Sequence, residues 1–462
     1  MSYTVPLPTV NLMTTFRLGL YYMGLGIMSI LTLGILNRVM IQELAIPAST
    51  TAVILAVPLF LSPSRVWFGQ MSDAKPIRGY HRTGYIWLGS AIYAIAPFIA
   101  VQLTWQLGSS WHLSAFSTQT YGWIGLLSLV FAIYGLAISA SATAFTALLV
   151  DVSDQDNRSK LVGIVWSMLI VGIILGSLSS SIMLKQVTPS TPIATLEASI
   201  NRLFIIFPAI VLALALLATV GVEKKYSRYS SRSKIVNQSD RITLGVALRV
   251  LSASPQTGVF FTFLLLMTIN LFVQEPILEP YGAKIFGMSL AETSKLPSFG
   301  GIGNLIGLNL TGFLIVPRLG KERTTRLGCI LVAICIGLIG LSGFTHNQVL
   351  LRVALLLFGL ASGVATTGAI SLMLELTAAE TAGTFVGAWG LAHTMARGIA
   401  VASGGILLDL GRSLFHAPVL AYGLVFGLQA LGMLLAIWFL GRVDVAKFRT
   451  QAQQAVASVL PN

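Results

Sequence analysis

Two stretches of the 462-residue chain place groups capable of chemistry inside or beside long apolar runs. In the first, an apolar run from Pro255 to Val273 meets Gln274-Glu275-Pro276 and then Glu279-Pro280-Tyr281-Gly282. Each proline removes a backbone donor and breaks the helical ladder. Broken backbone at membrane depth is stable only against protein or a water-filled cavity, and carboxylates there are functional candidates. An ordinary helix end with a Pro-Gly turn is the plain alternative. In the second stretch, Trp389, His393 and Arg397 recur at intervals of four and so share one helix face. His393 is the one histidine near the middle of an apolar run; His81, His112, His346 and His416 fall in loops or at helix ends. A neutral imidazole is a good metal ligand, and a histidine hydrogen-bonded to a neighbouring helix fits the same position. Arg397 requires a partner: Glu275, Glu279, or an acidic or carbonyl-bearing ligand. Asn37, Arg38 and Glu43 close the first apolar run, and Arg38 is expected to pair with Glu275 or Glu279. Such a pair serves as a gate, a ligand site or a structural brace.

The elements that must position these residues are membrane spans. The chain is 55% hydrophobic and 10% charged, with a mean hydropathy of +0.82; soluble domains carry about 25% charged residues. Twelve apolar runs are long enough to cross a bilayer: 16–40, 48–70, 84–106, 121–150, 160–184, 201–222, 256–275, 297–317, 326–344, 349–376, 382–408 and 417–441. The net charge of +13 is no nucleic-acid signal, because the cations sit in short loops between the runs. Taken alternately, the loops carry 21 basic residues on one side, counting Arg65, and 7 on the other, which places both termini on the cytoplasmic side. Cys329 and Cys335 share one run but point apart around a helix, so they read as core residues. The first run is too long for a signal peptide. No P-loop, H-E-x-x-H or G-x-S-x-G motif is present, and the chain is expected not to be an enzyme.

Residues 1–222 and 256–462 form two six-span halves, joined by a basic, serine-rich cytoplasmic linker over 223–255. The linker is either plainly solvated or held near anionic lipid. The halves repeat weakly. GQMSDAKPIRGYHR after span two, with Asp73, Arg78 and Arg82, is echoed by GFLIVPRLGKER after span eight. Asp151, with Arg158 beyond it, ends span four as Glu375 ends span ten. Parallel six-helix repeats with such a loop resemble the major facilitator superfamily. The expected fold is therefore an all-α, twelve-helix membrane protein of that superfamily with two pseudo-symmetric halves. Asp73 is expected to cap the N-terminal end of a neighbouring helix, which in the superfamily is span eleven. Gly172 and Gly176, Gly303 and Gly307, and Gly383 and Gly387 are small-xxx-small pairs suited to close helix approach.

More specific strings resemble one branch of the superfamily, the PucC/LhaA-type bacteriochlorophyll-delivery family. They are LGILNRVMIQELAIPAS (33–49), PLFLSPSRVWFGQMSDAKPIRGYHRTGYIWLG (58–89), LEPYGAKIFGMSLAET (278–293) and GTFVGAWGLAHTMARGIA (383–400). The resemblance implies a protein of a thylakoid or other photosynthetic membrane. It would handle or deliver chlorophyll to photosystem or antenna subunits, or hold such subunits as they assemble, within membrane lipid and with no nucleic-acid partner. His393 stands where the family usually has glutamine. On that reading His393 is a candidate axial ligand to chlorophyll magnesium, with Arg397, Trp389, Gln274, Glu275, Glu279, Tyr281, Asn37 and Arg38 as further contacts. The alternative is a proton-coupled carrier of a small organic solute, with Glu275, Glu279 or Asp151 carrying the proton.

The topology is testable with single cysteines in a Cys-free variant and an impermeant thiol reagent. Positions in 186–200 are expected to label from the non-cytoplasmic side and positions in 224–240 only from the cytoplasmic side; the reverse pattern overturns the assignment.

Overall fold

The computed structural model describes residues 10–153, 155–188, 191–227, 255–376 and 382–443, with the side chains of 155–159, 255–257, 374–376 and 382–388 outside the description. The regular structure of the described residues is helical, apart from an isolated antiparallel bridge between Ile77 and Tyr80; turns and short loops join the helices. Among the described residues eleven helices are long and apolar enough to cross a membrane, and Gly258–Phe272 is a shorter apolar helix. With period-3.6 backbone bonding satisfied within each segment, such helices can stand in hydrocarbon.

The chain forms two compact units. The first comprises Met1–Thr32, Leu61–Gly176 and Pro192–Arg241. Its helices are α1 (Leu12–Ser29), α3 (Ser64–Ala74), α4 (Thr83–Leu113), α5 (Thr118–Val152), the start of α6 (Gln155–Met183), α7 (Ile193–Thr219) and the short α8 (Val222–Tyr226). Helix α4 packs on α5 and α7, and α3 on α5, around Leu18, Tyr21, Tyr85, Phe145 and Leu148. The second unit comprises Leu33–Phe60, Ser177–Thr191 and Ile242–Asn462. It holds α2 (Ala48–Phe60), α9 (Pro255–Phe272), α10 (Leu278–Phe286), α11 (Leu290–Thr293), α12 (Leu296–Leu310), α13 (Val316–Leu319), α14 (Lys321–Phe344), α15 (Gln348–Leu376), α16 (Ala382–Leu414) and α17 (Pro418–Leu440). Helix α16 lies along α2, α9 and α17, while α14 and α12 pack on α15. Both cysteines are buried thiols in this unit's apolar core.

The helices depart from the apolar runs where the backbone is irregular. The first run continues past α1 through π-helical turns, Ile30–Leu36 and Val39–Glu43, so it reaches Glu43 rather than residue 40. The seventh run ends at Phe272, and α10 resumes after an interruption. Arg65, counted above with the cytoplasmic loops, lies inside α3, within the span Ala48–Ala74. Most of the 223–255 linker and the chain after residue 443 lie outside the described residues.

Close helix approach is set by glycine where the sequence pairs suggested it. A Cβ on Gly172 would sit 2.1 Å from the Met23 carbonyl oxygen, and one on Gly303 would sit 2.0 Å from the Leu356 carbonyl oxygen. The pair Gly383 and Gly387 falls among the side chains outside the description. Gly163, by contrast, has nothing within 4 Å of a Cβ. Gly303→Ala is expected to cost about 1–3 kcal/mol through overpacking against backbone, and Gly163→Ala to be neutral or stabilising by up to about 1 kcal/mol through helix propensity. Thermal unfolding of the two purified variants in one detergent checks this; equal midpoints refute the packing argument.

Candidate functional site

The site is built around the interruption between α9 and α10. After Phe272 the N–H groups of Glu275 and Ile277 bond to Phe272 and Gln274, and Pro276 has none to give. The carbonyls of Asn270, Leu271 and Pro276 must therefore find other donors. They find side-chain amides. Gln429 Nε2 on α17 donates to the Asn270 carbonyl at 2.7 Å and also to Gln274 Oε1. Gln274 Nε2 donates to the Leu271 carbonyl at 2.8 Å. Asn37 Nδ2 donates to the Pro276 carbonyl at 2.6 Å. Helix α16 reaches this corner through Gly404, whose Cβ would stand 2.2 Å from the Val273 carbonyl oxygen, and reaches α2 through Gly405, whose Cβ would stand 2.3 Å from the Ala48 carbonyl oxygen. Asp409, one turn further, accepts from the N–H groups of Ala48 and Ser49 at 3.2 and 2.7 Å and so caps α2.

This corner aims Glu275 at α16. Arg397 donates through Nε and Nη2 to the two oxygens of Glu275 at 2.9 and 2.8 Å, a bidentate pair. Its guanidinium also lies 4.9 Å from the Phe272 ring centroid. Both side chains are about a quarter exposed, 29% and 25%. One turn earlier, the His393 ring stacks on Trp389 at 5.1 Å and 28° and meets Phe272 edge-on at 5.6 Å. Its Nδ1 lies 3.3 Å from the Thr268 hydroxyl. Trp389, His393 and Arg397 thus form one half-buried face, as their spacing requires, and His393 has the neighbouring-helix hydrogen bond of a structural histidine. Gly390 has open space beside it, whereas Gly387 lies outside the described side chains.

The remaining candidates are arranged differently from the sequence expectation. Arg38 does not form an ion pair with Glu275 or Glu279. Its guanidinium is 3.6 Å from Glu43 and donates to the carbonyls of Ser289 and Met288 at 2.7 and 3.1 Å and to the Thr293 hydroxyl. The reason is local: the turn between α10 and α11, capped by Ser289 and Glu292, presents backbone acceptors to the end of the first span. Glu279 is buried, 4% exposed, and no cation among the described residues is within ion-pair distance of it. Tyr281 points away from Arg397: its hydroxyl donates to the Ile339 carbonyl at 2.8 Å, and its ring packs on Tyr422 and Phe426.

In the first unit, the loop between α3 and α4 turns tightly at Arg78 and Gly79, both with positive φ, so the exposed Arg78 makes the turn. Arg82 is buried. Its Nε donates to Asp151 at 2.8 Å, and its Nη1 donates to Ser72 Oγ at 2.6 Å and lies 2.5 Å from Asp73. Burial alone lowers the Arg82 guanidinium, but Asp151 and then Asp73 outweigh it and hold the group above its ordinary value. Asp73 therefore pairs with Arg82. The carboxylate that caps a helix N-terminus here is Glu223, which accepts from the backbone N–H groups of His81 and Thr83 at 2.7 and 2.6 Å. The capping of span eleven, and the side chains of Arg158 and Glu375, lie outside the described residues. Sequence reasoning missed Gln429, Thr268, Asp409 and Glu223. Gln429 had a signal: it is the one amide in α17, PVLAYGLVFGLQALGMLLAIWFL, and a strongly polar group in a span needs a partner.

Removing one member of the Arg397–Glu275 pair leaves a charge at low hydration, so each single alanine variant is expected to unfold at lower temperature than the double variant. The cycle is expected to give a coupling of about 0.5–3 kcal/mol; additive losses refute the pair's energetic role.

The comparisons with known proteins agree with this architecture. The family model described as PUCC protein matches residues 35–448. "Protein PucC" of Rhodobacter capsulatus is 28% identical over 93% of this chain and 92% of its own length. The "Bacteriochlorophyll synthase 44.5 kDa chain" of Rhodobacter capsulatus is 31% identical over 93% and 94%. Among solved structures, the nucleoside transporter NupG has a TM-score of 0.65 at 15% identity, covering 93% of this chain and 98% of that one. A D-xylose–proton symporter has a TM-score of 0.64 at 16% identity, covering 92% and 96%. These likenesses give the fold, that of the major facilitator superfamily, and the match over 35–448 gives the family: the chain is an integral membrane protein that belongs to the PUCC family.

Proposed function

We propose that the chain acts in a photosynthetic membrane, with both termini cytoplasmic, and assists assembly of chlorophyll-binding photosystem or antenna complexes by handling chlorophyll or by holding nascent subunits. Membership of the PUCC family and relatives named for PucC and for bacteriochlorophyll synthesis support the role. The observation that carries the pigment reading is the α16 face: an imidazole stacked on Trp389 and oriented by Thr268, beside a mutually neutralised Arg397–Glu275 pair. Thr268 at Nδ1 fixes the ring plane, as an outer-shell partner does for a ligating histidine. Trp389 and Phe272 supply flat apolar surface, and the ion pair presents little net charge to an apolar ligand. Bound chlorophyll would bring a magnesium ion able to accept one imidazole nitrogen. Arg397 and Glu275 bond to each other through both carboxylate oxygens.

A proton-coupled carrier of a small organic solute is the second reading, favoured by the buried Glu279, which has no cation among the described residues at ion-pair distance. One experiment separates the two. His393→Leu is expected to lower the chlorophyll extracted per folded, size-purified protein, and His393→Gln to retain most of it. Equal chlorophyll in wild type and His393→Leu removes His393 as the ligand. No chlorophyll in any preparation, with normal photosystem and antenna levels in a deletion strain, puts the carrier reading first.

A further inference from the structure

Arg65 is a cation inside a candidate membrane span that none of the preceding roles uses. It lies in α3, inside the span Ala48–Ala74, and is half-buried. Its Nε is buried and has no hydrogen-bond partner. Among the described residues no carboxylate is within ion-pair distance of its guanidinium. The buried and half-buried arginines described above do have such a partner: Arg38 has Glu43, Arg82 has Asp73 and Asp151, and Arg397 has Glu275. A cation inside a span is costly to leave uncompensated and marks a functional position.

The surroundings of Arg65 are polar and incomplete in the same way. The chain breaks before α3, where Ser64 and Arg65 donate their backbone N–H groups to Leu61 and Ser62 three residues back. Ser62 lies three residues before Arg65 and Gly69 four residues after, so the three share a face. That face looks at α5: a Cβ on Gly69 would sit 3.5 Å from Thr143 Cγ2. The hydroxyl oxygens of Ser62 and Thr143 are buried and, like Arg65 Nε, lack partners. Beyond them, Tyr22 and Thr146 pair their hydroxyls at 3.3 Å, and Tyr21 donates to Ser141 at 2.7 Å. The guanidinium is within electrostatic reach of both tyrosines. Trp166, 53% exposed, stands against Tyr22 at 5.4 Å and adds apolar surface beside the hydroxyls.

We propose that Arg65, with the hydroxyls of Ser62 and Thr143, forms a binding site for the oxyanion head of an amphiphile, a carboxylate or phosphate on an apolar body. The planar guanidinium fork matches either head in a two-point contact. The unpaired hydroxyls supply further donors, and an apolar body suits a site set in a membrane span. The proposal is independent of the α16 face and of the pigment reading.

The test uses the full chain in dodecyl maltoside, a neutral detergent, with fluorescent cis-parinaric acid and its methyl ester as probes. The wild-type protein is expected to prefer the acid by at least about tenfold, the worth of one charge-assisted hydrogen bond. Arg65→Gln is expected to abolish the preference, Arg65→Lys to keep part of it, and Thr143→Val to reduce it, with thermal unfolding confirming folded protein. Displacement of the probe by laurate alone identifies a carboxylate ligand, and by dodecyl phosphate alone a lipid phosphate. Displacement by both identifies a site for either head. Equal affinity for acid and ester in the wild type, a result that needs no variant, overturns the proposal. So does an unchanged preference in folded Arg65→Gln, or failure of both competitors.

Discussion

Unpaired backbone carbonyls in an apolar medium are the constraint on which the second unit depends. Helix α9 ends at Phe272 ahead of Pro276, and Pro280 within α10 has no N–H for the Pro276 carbonyl, so three carbonyls are left without backbone N–H partners. In water these groups would be solvated; among buried helices each must be met by protein or cost about 1–3 kcal/mol. Gln429, Gln274 and Asn37 meet them. Once those amides are spent on the backbone, they are fixed in place. So is the direction in which Glu275 leaves the corner. The ion pair with Arg397, and the alignment of α16 that carries His393, follow from how the broken helix is satisfied.

Glycine completes that logic. Helix α16 touches the corner and the start of α2 at adjacent positions, Gly404 and Gly405, with no room for a Cβ at either. Contact at backbone distance leaves little freedom to slide, and Asp409 locks the same end of α16 onto the first two N–H groups of α2. Arg397 lies two helical turns before this contact, and His393 one turn further. The α16 face that carries His393 is thus held by a crossing point at one end and by the ion pair along its length, the kind of support that orients side chains.

Much of this was legible in the residues. Spacing of four placed Trp389, His393 and Arg397 on one face, and the demand of Arg397 for an acid named Glu275 among its partners. Prolines marked the break. What the sequence did not reveal is which acceptor each donor would choose, because that depends on the path of turns. Arg38 faces a capped turn whose carbonyls at Met288 and Ser289 compete with the glutamates, and nothing in the apolar pattern reports that turn's direction. Asp73 likewise had Arg82 nine residues away, brought back by the tight turn at Arg78 and Gly79, and the start of α4 is capped by Glu223, far off in sequence. Polar residues that serve the backbone, Gln429 and Asn37, look the same in sequence as polar residues that serve a ligand.

That distinction bears on how an imidazole differs from the glutamine the family resemblance suggests at position 393. A glutamine there could bond the Thr268 hydroxyl, since its amide offers both a donor and an acceptor. It could not stack on Trp389 at 28° or meet the edge of Phe272, because it has no ring. Histidine therefore keeps the polar contact and adds flat apolar surface, extending the aromatic patch from Trp389 towards Arg397. The gain is in shape more than in charge: Arg397 is already paired with Glu275, and the ring adds aromatic contact with Trp389 and Phe272 that an amide lacks. The ring is therefore held on two sides by aromatic neighbours and at Nδ1 by the Thr268 hydroxyl, an orientation that a glutamine amide would not share.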